Sequence, residues 1–374
     1  MTEDGALSQK GSGVVVEPAE LTAVVERMTG STTPGRWRSK KLYDPVASAT
    51  AGIWRVSGDR WSVVLKLVHH GRDGHPNWIS STDPDHWYYW RREVLAYRSG
   101  LPGSFVGGLR GPDCLGIFER ADGAVALWLE DAGRGTPGTS WALEPYERAA
   151  RHLGHAQGAL AREGPLRSEP WFTRHWLRDY LSQRDRQMGL LADDSAWAWP
   201  LVRDNLSRSL AGPLLRMRDG QALFLDALES LPRTVCHFDL HPANLFAVGE
   251  ETVLIDWAFV GVGALGEDPG VLVTDSVLDF HVEPALFDDL FAVVRRGYVD
   301  GLRRAGWSGP EQIVDLGMNA TIAARYAWIA PALLGAVVAE RSVMNRRPIE
   351  EAVTCWARTV PFLLEHADRA RALV

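Results

Sequence analysis

The sequence CHFDLHPANLFAV at residues 236–248, followed by TVLIDW at residues 252–257, carries most of the chemical information in this chain. Asp239 and Asn244 lie on a loop that contains Pro242, and Asp256 ends a short apolar run a dozen residues after Asn244. A turn at Gly249 favours two short strands that fold back on each other. We therefore expect Asp239, Asn244 and Asp256 to converge on one point.

These three residue types suit the transfer of a phosphoryl group. That reaction needs a base or orienting group beside the acceptor hydroxyl, and oxygen ligands for the Mg²⁺ that neutralises charge on the phosphates. Asp239 would accept or orient the hydroxyl proton, while Asn244 and Asp256 would supply hard oxygen ligands to Mg²⁺. His237 and His241 would shape and brace the loop, so the predicted catalytic residues are Asp239, His237 and Asn244.

Two other interpretations of the loop stay open. Its Asp, Asn and His residues are also typical of side chains that cap turns. Alternatively, His237, Asp239 and His241 would be the ligands of a metal site. The Ile-Asp-Trp sequence at residues 255–257 favours phosphoryl transfer, because a second motif at the right distance makes the pattern more specific.

The two motifs resemble those of the aminoglycoside phosphotransferase and choline kinase-like family, with Asp256-Trp257 standing where protein kinases have Asp-Phe-Gly. The resemblance implies a bilobal, protein-kinase-like α+β fold, ATP as donor with GTP as an alternative, and Mg²⁺ as cofactor. Asp268, in a segment that also resembles the family, would then brace the catalytic loop.

Lys66 supports the same interpretation from the N-terminal half. It interrupts the apolar strand sequence VVLKLV at residues 63–68, and only three other lysines occur in the chain, against many arginines. In a kinase-like fold this lysine contacts the α- and β-phosphates and pairs with a glutamate on the next helix, for which Glu93 is the candidate. The alternative is that Lys66 faces solvent on an alternating strand.

Two further segments would contact the nucleotide if the resemblance holds. Small residues at 47–52 would let backbone N–H groups approach the phosphates, although this loop has only one glycine. Residues 129–132 would offer backbone groups to adenine, unless they are an ordinary strand end and turn. The predicted nucleotide-binding residues are Lys66, Glu93, Ser48, Thr50, Gly52, Leu129, Glu130, Asp131 and Ala132.

Hydrophobic periodicity predicts two lobes after a short lead-in. Residues 1–40 would be a lead-in with a helix at 18–28, and residues 41–131 a nucleotide-binding lobe with an antiparallel sheet and one main helix. Residues 132–374 would be a mostly helical lobe that carries the catalytic loop and the acceptor-binding helices. A hairpin is expected over residues 52–68.

Composition limits which binding partners and which cellular compartment we expect for this protein. The net charge of −7 and the absence of a basic stripe argue against nucleic acid. The longest apolar run, residues 326–339, is too short to span a bilayer and predicts a buried helix. Three scattered cysteines indicate neither disulfides nor a zinc site, so we expect a cytoplasmic protein without a membrane partner.

The sequence says less about the phosphoryl acceptor than about the fold or the catalytic residues. A small molecule is expected, such as an aminoglycoside or other antibiotic, a sugar or an amino alcohol, and the acidic balance favours a cationic one. Ser or Thr of a peptide is the second possibility, and a non-catalytic nucleotide-binding module is the third.

Two groups of residues bear on the choice of acceptor. The acidic side chains form either an anionic floor or a solvated face: Glu267, Asp268, Asp275 and Asp279. The insert at residues 69–90 carries Trp78, Trp87 and Trp90, which either stack on a ligand or pack internally.

Overall fold

The computed structural model of the protein describes residues 15–43, 48–71, 78–162, 169–183 and 185–374. Three predictions therefore lie partly outside the described residues: the first part of the lead-in, Ala47 of the nucleotide loop, and residues 72–77 of the tryptophan-rich insert.

Strands dominate the first third of the chain, and helices dominate the rest. The strands are β1 Trp37–Tyr43, β2 Thr50–Gly58, β3 Ser62–Val68, β4 Leu109–Arg110, β5 Cys114–Glu119, β6 Val125–Glu130, β7 Thr136–Pro137, β8 Arg233–Cys236, β9 Leu245–Val248, β10 Glu251–Leu254, β11 Gly261–Ala264, β12 Val343–Met344 and β13 Arg347–Pro348. The helices are α1 Pro18–Thr29, α2 Arg92–Arg98, α3 Leu143–Arg162, α4 Trp176–Ser182, α5 Asp194–Trp197, α6 Pro200–Arg203, α7 Ala211–Asp219, α8 Gln221–Ser230, α9 Glu267–Leu278, α10 Phe287–Arg304, α11 Gln312–Arg325, α12 Ile329–Val338 and α13 Ile349–Leu373.

The chain divides into two compact units. The first comprises residues 1–73 and 113–131, and the second comprises residues 74–112 and 132–374. The boundary after Asp131 is where the sequence predicts it. Residues 74–112, which the sequence assigns to the nucleotide-binding lobe, are grouped with the second unit, and the lobe boundaries stay a prediction.

Arg92 is one physical reason for that grouping. Its side chain is fully buried in the second unit, where the guanidinium donates to the carbonyl oxygens of Trp171 and Trp87 at 2.8 Å each and of His86 at 2.7 Å. Strand β4 also pairs in parallel with β10. The Arg92–Trp171 hydrogen bond and the pairing of β4 with β10 tie residues 74–112 to segments more than 70 positions away in the sequence.

An antiparallel sheet forms the first unit, with strand order β1-β2-β3-β6-β5. The predicted hairpin is confirmed, since β2 pairs with β3 from Thr50–Val68 to Ser57–Ser62. Alternate residues of β3, Val63 and Leu65, are fully buried in a core that includes Val24 of α1 and Trp128 of β6. This alternation places Lys66 on the opposite face of the sheet.

Helix α1 agrees closely with its prediction. Pro18 lies in its first turn, where the missing N–H costs no helical hydrogen bond. Gly30 ends the helix in the left-handed conformation, with a φ of 73°, and its N–H donates to Glu26 O at 2.8 Å. Glycine suits this position because it has no Cβ to strain the backbone.

Helices make up most of the second unit, as predicted. Two small sheets accompany them: the four-stranded sheet β4-β10-β9-β7 and the ribbon β11-β8. Strands β8, β9 and β10 flank the loop that the sequence analysis selects, so the sheets fix both ends of that loop. The apolar run at residues 326–339 forms α12, and its buried residues confirm the prediction.

One helical stretch within the described residues, Gln312–Val338, is apolar and long enough to cross a membrane by composition alone. Its mean hydropathy is 1.5, and 83% of its most apolar window is buried inside the protein. The core helix of a soluble protein passes the same test, so this stretch is weak evidence for membrane insertion.

Candidate active site

Asp239 lies on the loop between β8 and β9, and Asn244 is folded back onto it. The Nδ2 group of Asn244 donates to the main-chain oxygen of Asp239 at 2.9 Å and to its carboxylate Oδ2 at 3.1 Å. A single 3₁₀ turn, Pro242–Asn244, makes this return possible. The Asp239 side chain keeps 23% of its surface exposed, so its carboxylate is held in place and still open to solvent.

Asp268 braces this loop from the first turn of α9, as the sequence analysis predicts. Its buried carboxylate accepts from the main-chain N–H groups of His237 and Phe238 and from Gln157 Nε2, each at 2.8 Å. Phe238 has a φ of 64°, an uncommon conformation for a bulky residue. Burial raises the pKa of Asp268, while these donors act in the opposite direction by stabilising its charged form.

His237 joins the catalytic loop to the segment that carries Asp256. Its Nε2–H donates to Ile255 O at 3.0 Å, and its Nδ1 accepts from the Asp239 N–H at 3.3 Å. This pattern assigns the neutral tautomer protonated on Nε2. Burial lowers the pKa of His237, which agrees with a neutral ring, so the residue is a structural brace.

Asn244 and Asp256 lie at the ends of paired strands. Strand β9 starts at Leu245 opposite Leu254 of β10, and the Ile255 N–H donates to Asn244 O at 3.0 Å. Asp256 follows directly with a φ of 63°. One amide oxygen and one carboxylate suit Mg²⁺, which takes few protein ligands and completes its shell with water and phosphate oxygens.

The alternative metal site made of His237, Asp239 and His241 is wrong. The described residues contain no group of three or more His, Cys, Asp or Glu side chains that could hold a metal ion. The reason is visible at His237, whose two ring nitrogens are both engaged with the main chain. His241 Nε2 lies 3.7 Å from Asp239 Oδ2, and its Nδ1 lies 3.9 Å from Asp279 Oδ2.

The four acidic residues after Asp256 form neither a shared anionic floor nor a shared solvated face. Glu267 is buried, accepts from the Ala264 N–H at 2.8 Å, and has its pKa raised to about 7 by burial. Asp268 is the loop brace. Asp275 accepts from the Tyr326 hydroxyl at 2.8 Å, and only Asp279 has a side chain as much as 37% exposed.

Arg325, Tyr326 and Gln157 are site residues that the sequence analysis missed. Arg325 Nη1 donates to Phe238 O at 2.7 Å, and its Nη2 lies 3.6 Å from Asp275 Oδ2. Gln157 on α3 links Asp268 to the Tyr298 hydroxyl. The one signal for Arg325 is a charge within an otherwise apolar helical stretch.

Lys66 lies in the first unit and is 5% exposed, so the solvent-facing alternative is wrong. On β3 it pairs with Ile53 of β2 on one side and Leu127 of β6 on the other. Glu93 is 3% exposed on α2 in the second unit. Their pairing stays a prediction.

The first unit also contains the predicted nucleotide-binding residues Ser48, Thr50, Gly52, Leu129, Glu130 and Asp131, whose contacts with a nucleotide stay a prediction. Ser48 is buried, and Thr50 begins β2. A Cβ added to Gly52 would lie 2.1 Å from the Trp54 ring, so a larger residue there would require that ring to move. At the end of β6, the Glu130 N–H donates to Asp113 O at 2.9 Å, so this N–H group is not available to adenine. Neighbouring Leu129 is buried.

Asp131 and Ala132 are the last residues of the predicted adenine-binding segment. The Asp131 carboxylate accepts from Arg55 Nε at 2.7 Å and Ser62 Oγ at 2.5 Å, which makes it a brace of the sheet. Ala132 O accepts from the Gly135 N–H at 2.9 Å in the following turn.

Internal packing accounts for much of the tryptophan-rich insert. Trp87 is 3% exposed and stacks on Phe259 with ring centroids 5.9 Å apart. Trp78 contacts the Trp87 ring at 5.8 Å and the Tyr180 ring at 5.9 Å. Trp90 instead faces a cation, with the Arg91 guanidinium 4.8 Å from its ring centroid. The packing alternative is therefore confirmed for Trp87.

A pocket of about 550 Å³ opens in the second unit. Its volume is in the range of small-molecule sites. Helix α4 contributes to its wall and also carries Trp176, which stacks on Phe238 beside Asp239. Two arginines and no carboxylate are among the residues that line it: Arg178, Leu181, Ser182, Met188, Arg218, Gln221, Leu225 and Trp328.

A family model described as "Phosphotransferase enzyme family" matches residues 109–307, more than half of the chain, including Asp239, Asn244, Asp256 and Asp268. The chain belongs to this family. Family membership confirms the resemblance inferred from the motifs and the predicted enzyme class, a kinase-type phosphotransferase. No curated protein matches the chain.

Solved structures of other phosphotransferases share the fold. One is the amicoumacin kinase hAmiN in complex with AMP-PNP, Ca²⁺ and Ami, with 13% identity, a TM-score of 0.52, and coverage of 87% of this chain and 88% of that one. Another is a choline kinase from Cryptosporidium parvum Iowa II, with 12% identity, a TM-score of 0.54, and coverage of 95% and 96%. The predicted protein-kinase-like fold of this phosphotransferase is therefore confirmed.

Proposed function

We propose that this phosphotransferase transfers the γ-phosphoryl group of ATP to a hydroxyl group of a small molecule. The arrangement around Asp239 carries the proposal. The partly exposed carboxylate of Asp239 is oriented by a hydrogen bond from Asn244. Hydrogen bonds to Asp268 and His237 hold the loop that carries Asp239. Enzymes gain most in this reaction by positioning the groups beforehand.

Asp239 is proposed to receive the acceptor proton. The acceptor oxygen would form a bond to the γ-phosphorus, the bond from that phosphorus to the bridging oxygen of ATP would break, and ADP would leave with the bonding electrons. The hydroxyl proton would pass to the Asp239 carboxylate, or be oriented by it while the P–O bond forms. Asn244 Nδ2 keeps one carboxylate oxygen fixed, so the other is available to the acceptor.

Asn244 Oδ1 and the Asp256 carboxylate are proposed to hold Mg²⁺. The ion would neutralise charge on the phosphates when nucleotide is bound. This assignment agrees with the hydrogen bonds, because Asn244 uses its amide nitrogen on Asp239 and leaves its oxygen for the metal. Lys66, a buried cation on β3, is proposed to contact the α- and β-phosphates, with Glu93 as its partner.

A pocket of small-molecule size lies in the second unit beside α4, the helix that also carries Trp176. Its lining combines apolar side chains with two guanidinium groups, and Asp275 and Glu267 are committed to internal contacts. Both guanidinium groups are paired with carboxylates, Arg178 with Asp226 and Glu229 and Arg218 with Asp219, so the lining favours neither sign of charge. We therefore propose cationic, neutral and anionic hydroxyl compounds alike as candidate acceptors.

An acceptor screen tests this function. Release of ADP from ATP and Mg²⁺ is measured with aminoglycosides, neutral antibiotics, sugars, hydroxy acids, choline-like alcohols and Ser- or Thr-containing peptides, and ³¹P NMR identifies the product. Stimulation by a small molecule with formation of its phosphate ester is the expected result. Stimulation by peptides alone would contradict the small-molecule assignment, and absence of nucleotide binding would contradict the phosphotransferase activity itself.

A further inference from the structure

Arg325 is a buried cation next to the catalytic loop, yet 86 positions after Asp239 in the chain. Its guanidinium donates through Nη1 to Phe238 O at 2.7 Å. The same group lies 4.8 Å from the Trp176 ring centroid and 5.6 Å from that of Tyr180. One planar cation thus contacts a main-chain oxygen and two aromatic faces.

The protein keeps this charge buried at considerable cost. Removing a guanidinium from water is unfavourable unless other groups compensate for the lost hydration. Asp275 compensates in part, since its Oδ2 lies 3.6 Å from Arg325 Nη2, and the Tyr326 hydroxyl donates to its other oxygen at 2.8 Å. Burial raises the pKa of Asp275 to about 6, so the carboxylate also bears a cost.

The contact with Phe238 O bears directly on the orientation of Asp239. The carbonyl group of Phe238 and the N–H group of Asp239 belong to one planar peptide unit. Arg325 holds the oxygen end of this unit, and His237 Nδ1 accepts from the nitrogen end at 3.3 Å. Rotation of the unit would break both contacts, so Arg325 and His237 together limit the direction in which the Asp239 side chain leaves the backbone.

The backbone before this unit is also strained. Phe238 has a φ of 64°, and non-glycine residues persist in this region only where surrounding contacts hold them. Asp268 binds the N–H of Phe238, and Trp176 stacks on its ring with centroids 5.4 Å apart at an angle of 8°. Arg325 supplies the contact at the carbonyl, which these two residues do not reach.

We propose that Arg325 is a positioning residue for phosphoryl transfer, which fixes the peptide unit in front of Asp239 and so aims its carboxylate at the acceptor hydroxyl. The proposal rests on the proposed function of Asp239. A lysine cannot replace this arginine, because a single ammonium group cannot bond the carbonyl, face Asp275 and stack on two rings at once.

The test compares Arg325→Lys and Arg325→Met with wild type. Amide hydrogen exchange of the peptides that cover residues 236–241 reports the loop, and nucleotide affinity is measured with a fluorescent ATP analogue and Mg²⁺. Turnover is measured with the acceptor that the screen identifies. We expect faster exchange in the loop and a kcat lower by about 10- to 100-fold, with the KM for ATP unchanged.

Arg120→Lys is the matched control. Arg120 is another buried arginine, with a side chain 6% exposed, and its guanidinium donates to Glu20 and to Val15 O, neither of which belongs to the catalytic loop or to the segment that carries Asp256. We expect Arg120→Lys to lower the melting temperature while loop exchange and kcat stay near the wild-type values. If Arg325→Met does not fold, Tyr326→Phe weakens the same set of contacts and should give a smaller decrease in kcat.

Wild-type exchange and wild-type kcat in both Arg325 variants would overturn the proposal. A loss of kcat that merely follows the loss of stability, and that Arg120→Lys shows to the same extent, would overturn it as well. Failure of the proposed function is a separate outcome, because wild type itself would then neither bind nucleotide nor turn over any acceptor.

Discussion

His366 is a buried histidine of α13 whose contacts require a neutral ring. Its Nδ1 lies 2.6 Å from Asn319 Oδ1, and Nε2 is buried without a hydrogen-bond partner in the described part of the chain. The ring packs against Phe291 with centroids 4.6 Å apart. Burial lowers the pKa of His366 to about 3, since a proton on Nε2 would place an uncompensated charge in this apolar site.

This histidine predicts a loss of stability in mild acid. Its pKa is lower in the folded state than the ordinary value of about 6.5, so below that pH the unfolded state binds a proton first. Its contribution is fully present above pH 6.5 and is lost progressively as the pH falls towards 3. At pH 5 the free energy of unfolding should have dropped by about 2 kcal/mol through this residue alone.

Urea unfolding at pH 7 and pH 5 measures this effect. His366→Gln, which cannot titrate, should lose about 2 kcal/mol less than wild type between the two pH values. His175→Gln is the control, because the His175 side chain is 59% exposed. Equal losses in wild type and His366→Gln would show that His366 is not the responsible group.

Asp256→Asn tests the proposed metal site with little risk to the fold. Asparagine tolerates the left-handed backbone of this position, where φ is 63°. Removing the negative charge should raise the apparent dissociation constant for Mg²⁺ in nucleotide binding by at least about tenfold, or about 1.4 kcal/mol. A titration of nucleotide affinity against Mg²⁺ measures it, with the exposed Asp288→Asn as control. Unchanged Mg²⁺ dependence would refute the metal role of Asp256.

The sequence predicted the residues of the loop better than the residues that support it. Asp239, Asn244, Asp256 and the brace Asp268 lie within 30 positions, so a local motif contains them all. Gln157 and Arg325 reach the same loop from α3 and α11. Nothing in a helical pattern shows which of its polar residues will face a loop 80 positions away.

Helices α3 and α10 pack so closely that glycines are required at their interface. A Cβ on Gly154 would lie 2.1 Å from Tyr298 O, and one on Gly301 would lie 2.1 Å from Arg151 O. Both distances are to backbone atoms, which cannot move aside as a flexible side chain can. Because Gln157 and Tyr298 meet across this interface, the packing also supports the brace of the catalytic loop.

Gly301→Ala should therefore destabilise the protein although alanine is the better helix former. The overlap is expected to cost at least about 1–3 kcal/mol. Gly212→Ala in α7 is the matched control, since the nearest atom to its added Cβ is the end of the Arg216 side chain at 3.6 Å. It should be neutral or stabilising by about 0.5 kcal/mol. Thermal or urea unfolding compares the two, and equal stabilities would contradict the packing argument.

The secondary structure of the first unit was predictable and the grouping of residues 74–112 was not. Short β-type runs and their turns define the hairpin β2–β3, and α1 begins at Pro18 and ends at Gly30 as expected. Helix α2 was also recognised, but local periodicity does not tell which unit a helix joins. The hydrogen bonds of Arg92 and the pairing of β4 with β10 determine that choice, and both depend on distant segments.

At the scale of the whole molecule, the two units carry different parts of the proposed function. The first unit supplies the buried lysine and a five-stranded sheet, and the second supplies the catalytic loop, the proposed metal ligands and the pocket. The family match begins at residue 109, so it includes the catalytic loop and excludes Lys66. The proposed nucleotide-binding role of Lys66 therefore rests on its burial and on its place in β3.

Asp239 is proposed to serve the acceptor and not to bind the nucleotide. The most direct test measures ATP consumption by wild type and Asp239→Asn with the acceptor from the screen, together with the affinity of each protein for the Mg²⁺–nucleotide complex. We predict a loss of turnover of at least about 100-fold with nucleotide affinity within about twofold of wild type. Turnover close to the wild-type rate in Asp239→Asn would contradict the account.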